Sequence, residues 1–301
     1  MNRTTRNEAL YVFRLTPEVL LIWTTLSLFL FILTASGASW YYAIIHHQTV
    51  SFSIKSAEGG TWQGIIGLVV LIAITFATTI IHELVHGIAF ATFGGSPRYG
   101  LKVKYFLPLA YATSPGDIFR RNAFIVISLA PLLVIDIVSL LMLTIFPQAP
   151  WLIWVIAFNT SGAIGDIWIA VQLLRCPKSI EVEDREESIA IYAPLNVTRQ
   201  ELPFTSSDKS RSSSGRKSLL NIVLTTFVLM PIFSFLLLPI LKTLEVPSFV
   251  VGTNYFLLMR WENTQKGFSF EFTVLSFVIV IFTLLLLTFI TNMLRRLRLP
   301  L

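Results

Sequence analysis

Residues 65–93 read IIGLVVLIAITFATTIIHELVHGIAFATF, and the only ionisable side chains among them are His82, Glu83 and His86. A bilayer is crossed by about 20 apolar residues at 1.5 Å each, so this run is long enough to span one. Ionisable groups at that depth are costly and mark functional sites by default. Three of them within five residues are therefore the chemical centre of the sequence.

Working outward, the 301 residues are 54% hydrophobic and 13% charged, with a mean hydropathy of +0.71. Soluble chains carry about 25% charged residues. The deficit excludes an ordinary cytosolic enzyme, a disordered scaffold and a disulfide-rich secreted domain. The single cysteine, Cys176, has no partner for an intramolecular bridge, and a Cys-based metal site would need more thiols.

Six stretches qualify as spans: Leu20–Trp40, Ile65–Phe93, Asn122–Phe146, Trp151–Leu174, Leu219–Leu241 and Phe270–Met293. The first follows Arg3, Arg6 and Arg14, but its apolar core exceeds the 7–15 residues of a signal peptide, so an uncleaved span is expected. All but four of the 23 Lys and Arg fall in the N-terminal tail, the loop between spans two and three, the stretch 175–218, or the C-terminal tail. The exceptions are Lys55, Lys242, Arg260 and Lys266. This asymmetry predicts a multi-pass protein with both termini cytoplasmic. It accounts for the net charge of +6 without nucleic acid as a partner. The cell membrane is the expected location, with the lipid bilayer as surroundings.

The expected fold is thus an all-α polytopic membrane protein of about six transmembrane helices with two small β additions. Tyr99–Thr113 alternates at Leu101-Lys102-Val103-Lys104-Tyr105 and predicts a membrane-associated hairpin. Ile180–Ala193 predicts two short strands around an acidic turn, a small cytoplasmic appendage. Ser206–Ser218 reads as a flexible linker. The organisation expected is 1–64 (tail, first helix and outer loop), 65–192 (core), 193–218 (linker) and 219–301 (a C-terminal helix pair). No internal repeat of the transporter kind is present.

Residues i and i+4 share a helix face, so His82 and His86 can offer imidazole nitrogens to one metal ion. Glu83, one position round, can contact a metal-bound water without being a ligand. This is the H-E-x-x-H arrangement of two zinc ligands and a general base. A structural pair of histidines is the alternative, disfavoured by the cost of desolvating three groups in one turn.

A catalytic zinc needs a third protein ligand and an open position. His46 and His47 are expected in the outer loop, on the wrong side, and Cys176 lies at the inner end of span four. Asp136 and Asp166 remain. At 1.5 Å per residue, His86, His82 and Asp166 lie about 6, 12 and 12 Å from the inner boundary, and Asp136 about 21 Å. Depth selects Asp166 as the candidate ligand and leaves Asp136 as a structural or water-linked acid. Asn159, in the small and polar run Asn159–Asp166, is a candidate for holding a substrate backbone. Gly87 allows a close approach beside the metal.

At these residues the chain resembles the intramembrane zinc metalloproteases of the site-2 protease class. More specifically it resembles the "putative zincin peptidase" family. The resemblance covers Thr78 to Tyr192 and rests on His82-Glu83-Leu84-Val85-His86-Gly87, the Phe93-Gly94 turn, Tyr99-Gly100, Leu129-Ala130-Pro131, Gly165-Asp166, Pro177 and Ile191-Tyr192. It implies His82, His86 and Asp166 as zinc ligands and Glu83 as catalytic base. Site-2 proteases proper carry Asn-x-x-Pro leading to Asp-Gly. Here no proline separates Asn159 from Asp166, and Ile167 follows the Asp.

The function these readings imply is a zinc endopeptidase cutting membrane-anchored proteins near the cytoplasmic face, with zinc-bound water activated by Glu83. The hairpin would pair with extended substrate. Two alternatives stand beside it: a catalytically silent membrane protein of the same fold that binds zinc or partner helices, and a metal or proton transporter.

Overall fold

The computed structural model describes residues 8–48, 50, 52–55, 60–104, 107–185, 188–203, 240–241, 243–253, 256–264, 267–283 and 286. In chain order the elements are β1 (Tyr11–Arg14), α1 (Pro17–His46), β2 (Phe52–Lys55), α2 (Gly60–Thr92), β3 (Arg98–Lys104), β4 (Leu107–Thr113), β5 (Phe119–Arg120) and α3 (Arg121–Ile145). They continue with α4 (Leu152–Gly162), α5 (Ile164–Leu174), β6 (Glu181–Asp184), β7 (Ser188–Tyr192), β8 (Phe249–Val251), β9 (Met259–Thr264) and β10 (Gly267–Phe272). A shorter apolar helix, α6 (Val274–Thr283), follows.

Among the described residues, α1, α2 and α3 are each long and apolar enough to cross a membrane, and α4 with α5 make a fourth candidate bent by 46°. Helix α2 shows why. Ile66, Val69, Ile72, Phe76, Ile80, Leu84 and Ile88, spaced by three or four, form one exposed stripe. Such a stripe is unfavourable against water and compatible with lipid. The expected fifth span, Leu219–Leu241, lies outside the described residues except for its last two, and the linker Ser206–Ser218 lies outside them altogether. The sixth expected span is corrected at its start. Phe270–Phe272 belong to β10, and helix begins at Val274.

The bend between α4 and α5 falls at Ala163. Helical hydrogen bonding continues on both sides of it, from the Ala163 N–H to the Asn159 carbonyl and from the Ile167 N–H to the Ala163 carbonyl, each 2.9 Å. The Ser161 carbonyl accepts from the Ser27 hydroxyl at 2.8 Å, so this buried acceptor has a partner at the kink.

Contacts group the chain into two compact units. One comprises Met1–Ser27, Ala73–Ser139 and Phe158–Ser210, the other Leu28–Ile72, Leu140–Ala157 and Arg211–Leu301. In the first, an antiparallel sheet runs β1-β7-β6-β5. The β6–β7 pair is the appendage expected from Ile180–Ala193. Strands β1 and β5 join it from distant sequence, with Tyr11 opposite Ile191 and Phe119 opposite Val182. Beneath the sheet lies a core of Phe13, Phe90, Phe119, Phe124, Ile127, Ile169, Leu173, Val182 and Ile191. That core ties the adjoining parts of α2, α3 and α5 to one another. The β3–β4 hairpin pairs Arg98 with Thr113 through to Lys104 with Leu107, as the alternation predicts.

The second unit contains a sheet that the sequence reading did not anticipate, ordered β2-β10-β9-β8. Trp261 and Phe270 are buried in its core. Its signal was present in the alternation Phe268-Ser269-Phe270-Glu271-Phe272, which runs directly into an apolar helix and so reads as the start of a span. The helical fold class therefore carries more strand than expected, with three separate sheets among the described residues.

Candidate metal site

Helix α2 ends at the Phe93-Gly94 turn. Gly94 adopts φ +83°, in the left-handed region glycine tolerates, and the Gly95 N–H returns to the Phe90 carbonyl at 2.9 Å. About two and three turns earlier, His86 and His82 stand on the same face, each about 9% exposed, with ring centroids 4.9 Å apart. Asp166 reaches them from the first turn of α5. Its Oδ2 is 3.2 Å from His82 Nε2 and its Oδ1 is 3.5 Å from His86 Nε2. One donor atom from each of the three lies within 4.8 Å of the others, the one such group among the described residues.

The remaining ring nitrogens fix what faces what. His86 Nδ1 lies 3.1 Å from the Ile127 carbonyl. A carbonyl only accepts, so Nδ1 carries a proton, and Nε2 is the nitrogen that faces Asp166. His82 Nδ1 lies 2.9 Å from Asn159 Oδ1. That orientation of the amide is dictated at its other end, where Asn159 Nδ2 donates to the Pro131 carbonyl at 3.3 Å and to Asp136 Oδ1 at 2.9 Å. His82 therefore also donates from Nδ1, and its Nε2 is the nitrogen that faces Asp166. Two imidazole Nε2 atoms and a carboxylate converge, an arrangement bridged either by protons on Nε2 or by one metal ion.

Zinc fits the donor set. With bonds of about 2.0–2.1 Å and tetrahedral angles, neighbouring ligand atoms sit roughly 3.3 Å apart. The histidine–carboxylate separations, 3.2 Å to Oδ2 and 3.5 Å to Oδ1, are close to that spacing, and one donor atom from each residue lies within 4.8 Å of the others. The Nδ1–H bonds to a backbone carbonyl and a side-chain amide are the orienting contacts that metal-bound histidines carry.

Glu83 faces the same cavity, a space of about 270 Å³ lined by His82, Glu83, His86, Ala112, Ser128 and Asp166, with other side chains. Its Oε2 accepts the Ala112 N–H of β4 at 2.7 Å. In an antiparallel ladder alternate N–H groups point to opposite edges, so Ala112 shares the edge on which Pro108 has no N–H at all. The hairpin is held against α2 at a second point. A Cβ on Gly87 would fall 1.9 Å from the Tyr99 hydroxyl, so glycine there admits the tyrosine. Gly165, before Asp166, similarly accommodates Trp23, whose ring would be 3.0 Å from an added Cβ.

The β1–β7–β6–β5 sheet closes one side of the cavity through Asp184 and Ile189. Beside it, Glu183 accepts from Arg185 Nε at 2.7 Å, from the Tyr192 hydroxyl at 2.6 Å and from the Gly116 N–H at 3.2 Å. Burial pushes the Glu183 carboxyl up, but the bonds from Tyr192 and Arg185, with the Arg185 charge, hold it below the usual carboxylate value. These contacts fasten the turn after β4 to the sheet. The Cys176 thiol is buried, which pushes it up to about 11.

The sequence candidates thus fall as follows. His82, His86 and Asp166 come together, with Glu83 on the same cavity. Asp136 stands apart from the three, accepting from Thr160 at 2.6 Å as well as from Asn159. Asn159 is 2% exposed, and its amide is taken up by His82, Asp136 and Pro131. His46 is bonded through Nε2 to the Leu143 carbonyl at 2.8 Å. Sequence reasoning missed the Ile127 carbonyl and the Ala112 N–H, because backbone groups carry no residue signature. Pro131, inside a span, was the available hint.

Residues 75–180 match the family model described as "Putative zincin peptidase". The matched segment holds the motif, the hairpin, α3, α4 and α5, and it is the family that the motif itself resembles. Comparison with curated proteins and with solved structures finds no match to this chain.

Proposed function

We propose that the chain, whose residues 75–180 match a zincin-peptidase family, is an intramembrane zinc endopeptidase acting on membrane-anchored proteins near the cytoplasmic face. The observation that carries this is the convergence of His82, His86 and Asp166 beside Glu83 in one cavity on the apolar helix α2. The family match supports a metallopeptidase, and the length and apolarity of α1–α3 support a membrane setting.

In this reading His82 Nε2, His86 Nε2 and the carboxylate of Asp166 hold the ion. Zinc, when bound, supplies Lewis acidity toward a carbonyl oxygen and makes water more acidic. Glu83 is the base. Its Oε2 is held by Ala112, and Oε1 takes a proton from water and delivers it to the departing amine, so that water adds across the peptide bond. Asn159 and the Ile127 carbonyl keep the imidazoles in the tautomer that binds a cation.

Strand β4 gives the substrate a place to lie. An extended segment can pair with its edge at Ala110, next to the Ala112 N–H that Glu83 engages. Pairing also meets a physical need, because peptide bonds in an intact helix are shielded and must unwind before hydrolysis.

The test is the metal content of detergent-purified protein. About one zinc per chain, absent from His86→Ala and from Asp166→Ala, supports the site. Wild-type protein that takes up no supplied zinc overturns the reading.

A further inference from the structure

A proline in mid-helix removes one N–H, the one that would bond to the carbonyl four residues earlier. In α3 that proline is Pro131, and four residues earlier is Ile127. The Ile127 carbonyl is the group that accepts the His86 Nδ1–H, at 3.1 Å in a buried setting. The two facts interlock: the helix gives up the donor at 131, and the histidine of the neighbouring helix supplies one.

We infer that Pro131 is a positioning residue for His86, acting by leaving the Ile127 carbonyl open to the imidazole. The inference rests on the zinc-site reading above. It assigns the proline a role distinct from kinking the helix. A buried carbonyl needs a partner, and with no N–H at 131 that need aligns the His86 ring, puts its proton on Nδ1 and turns Nε2 toward Asp166.

The same proline serves the other histidine indirectly. Its own carbonyl accepts from Asn159 Nδ2 at 3.3 Å, which helps to set the amide that faces His82. Residues 127 and 131 of α3 thus supply backbone acceptors to His86 and to the Asn159 amide that faces His82, without contributing a side-chain ligand. Small-to-large packing alone explains neither contact, since both are made by main-chain oxygens.

The experiment uses full-length protein in detergent, wild type beside Pro131→Ala, Pro131→Gly and His86→Ala. Both proline variants restore an N–H that competes for the Ile127 carbonyl, one in a stiffer and one in a more compliant helix. Two quantities are read. The first is zinc affinity, by competition with a chromophoric chelator. The second is the histidine tautomer in metal-free protein, from ¹⁵N shifts of labelled imidazoles; the chain has four histidines.

Wild type is expected to show His86 protonated at Nδ1. Both proline variants are expected to bind zinc about 10-fold or more weakly, the range for losing an orienting partner of a metal-bound histidine, with the His86 signals moved toward the Nε2–H form. Affinity within threefold of wild type and an unchanged tautomer in either proline variant overturn the assignment of Pro131 while leaving the zinc site intact. Wild-type affinity in His86→Ala overturns the zinc reading, and the role of Pro131 with it.

Discussion

Replacing Asn159 with Leu distinguishes a residue that holds substrate from one that holds His82. The substitution keeps nearly the same volume and removes three hydrogen bonds: to His82 at 2.9 Å, to Asp136 at 2.9 Å and to the Pro131 carbonyl at 3.3 Å. Asn159 is 2% exposed, so no bulk water replaces them. At about 1 kcal/mol for each buried bond lost, the metal-free protein loses roughly 3 kcal/mol of stability. The effect on metal is separate. Without the acceptor at Oδ1, His82 is free to carry its proton on Nε2, the atom that faces Asp166. Losing such a partner weakens metal binding about 10- to 100-fold, or about 1.4 to 2.8 kcal/mol. Competitive zinc titration of the folded variant measures this, and a thermal melt of the metal-free form measures the first term. Thr160→Val is the control. It removes only the bond to Asp136, so it costs about 1 kcal/mol of stability and leaves zinc affinity within about twofold. If Asn159→Leu binds zinc as tightly as wild type yet cleaves substrate with a raised KM, the orienting role is wrong and substrate holding is right.

Other outcomes follow from the same geometry. Glu83→Gln keeps the metal donors but removes the base, so zinc content stays at wild-type level while cleavage of a membrane-anchored reporter falls about 10²- to 10⁴-fold; retained cleavage points to another base. Gly252→Ala meets two obstacles, a φ of +119° and the Phe256 carbonyl 2.1 Å from the new Cβ, and should cost about 2 kcal/mol or more, visible as a lowered melting temperature. Glu183 has its folded-state pKa depressed, so its contribution to stability is complete above the ordinary carboxylate range and is lost as pH falls through the depressed value. Melting temperature against pH should therefore fall less steeply on the acid side for Glu183→Gln than for wild type. An identical acid slope in the two proteins refutes that.

What could be read in the sequence was whatever depends on local spacing. The i, i+4 relation of His82 and His86 places two imidazoles on one face of any helix, and the apolar run around them makes that helix long enough to span a bilayer. The alternation in Tyr99–Thr113 is sufficient for a hairpin, and the β6–β7 pair lies wholly within Ile180–Ala193. Depth counting separated Asp166 from Asp136 because rise per residue is a constant of the helix. The sheet β2-β10-β9-β8 escaped notice because β2 pairs with β10 across most of the chain, and β10 runs straight into the apolar α6.

Tertiary structure decided the state of each donor. Which nitrogen of His82 or His86 carries the proton depends on Asn159 and the Ile127 carbonyl, and these lie on other helices. Which oxygen of Glu83 is engaged depends on an N–H of β4. Sequence spacing can choose the atoms that could bind a cation. Only packing supplies the partners that direct their protons and lone pairs, because hydrogen bonds are satisfied by whatever group arrives in space, whatever its place along the chain.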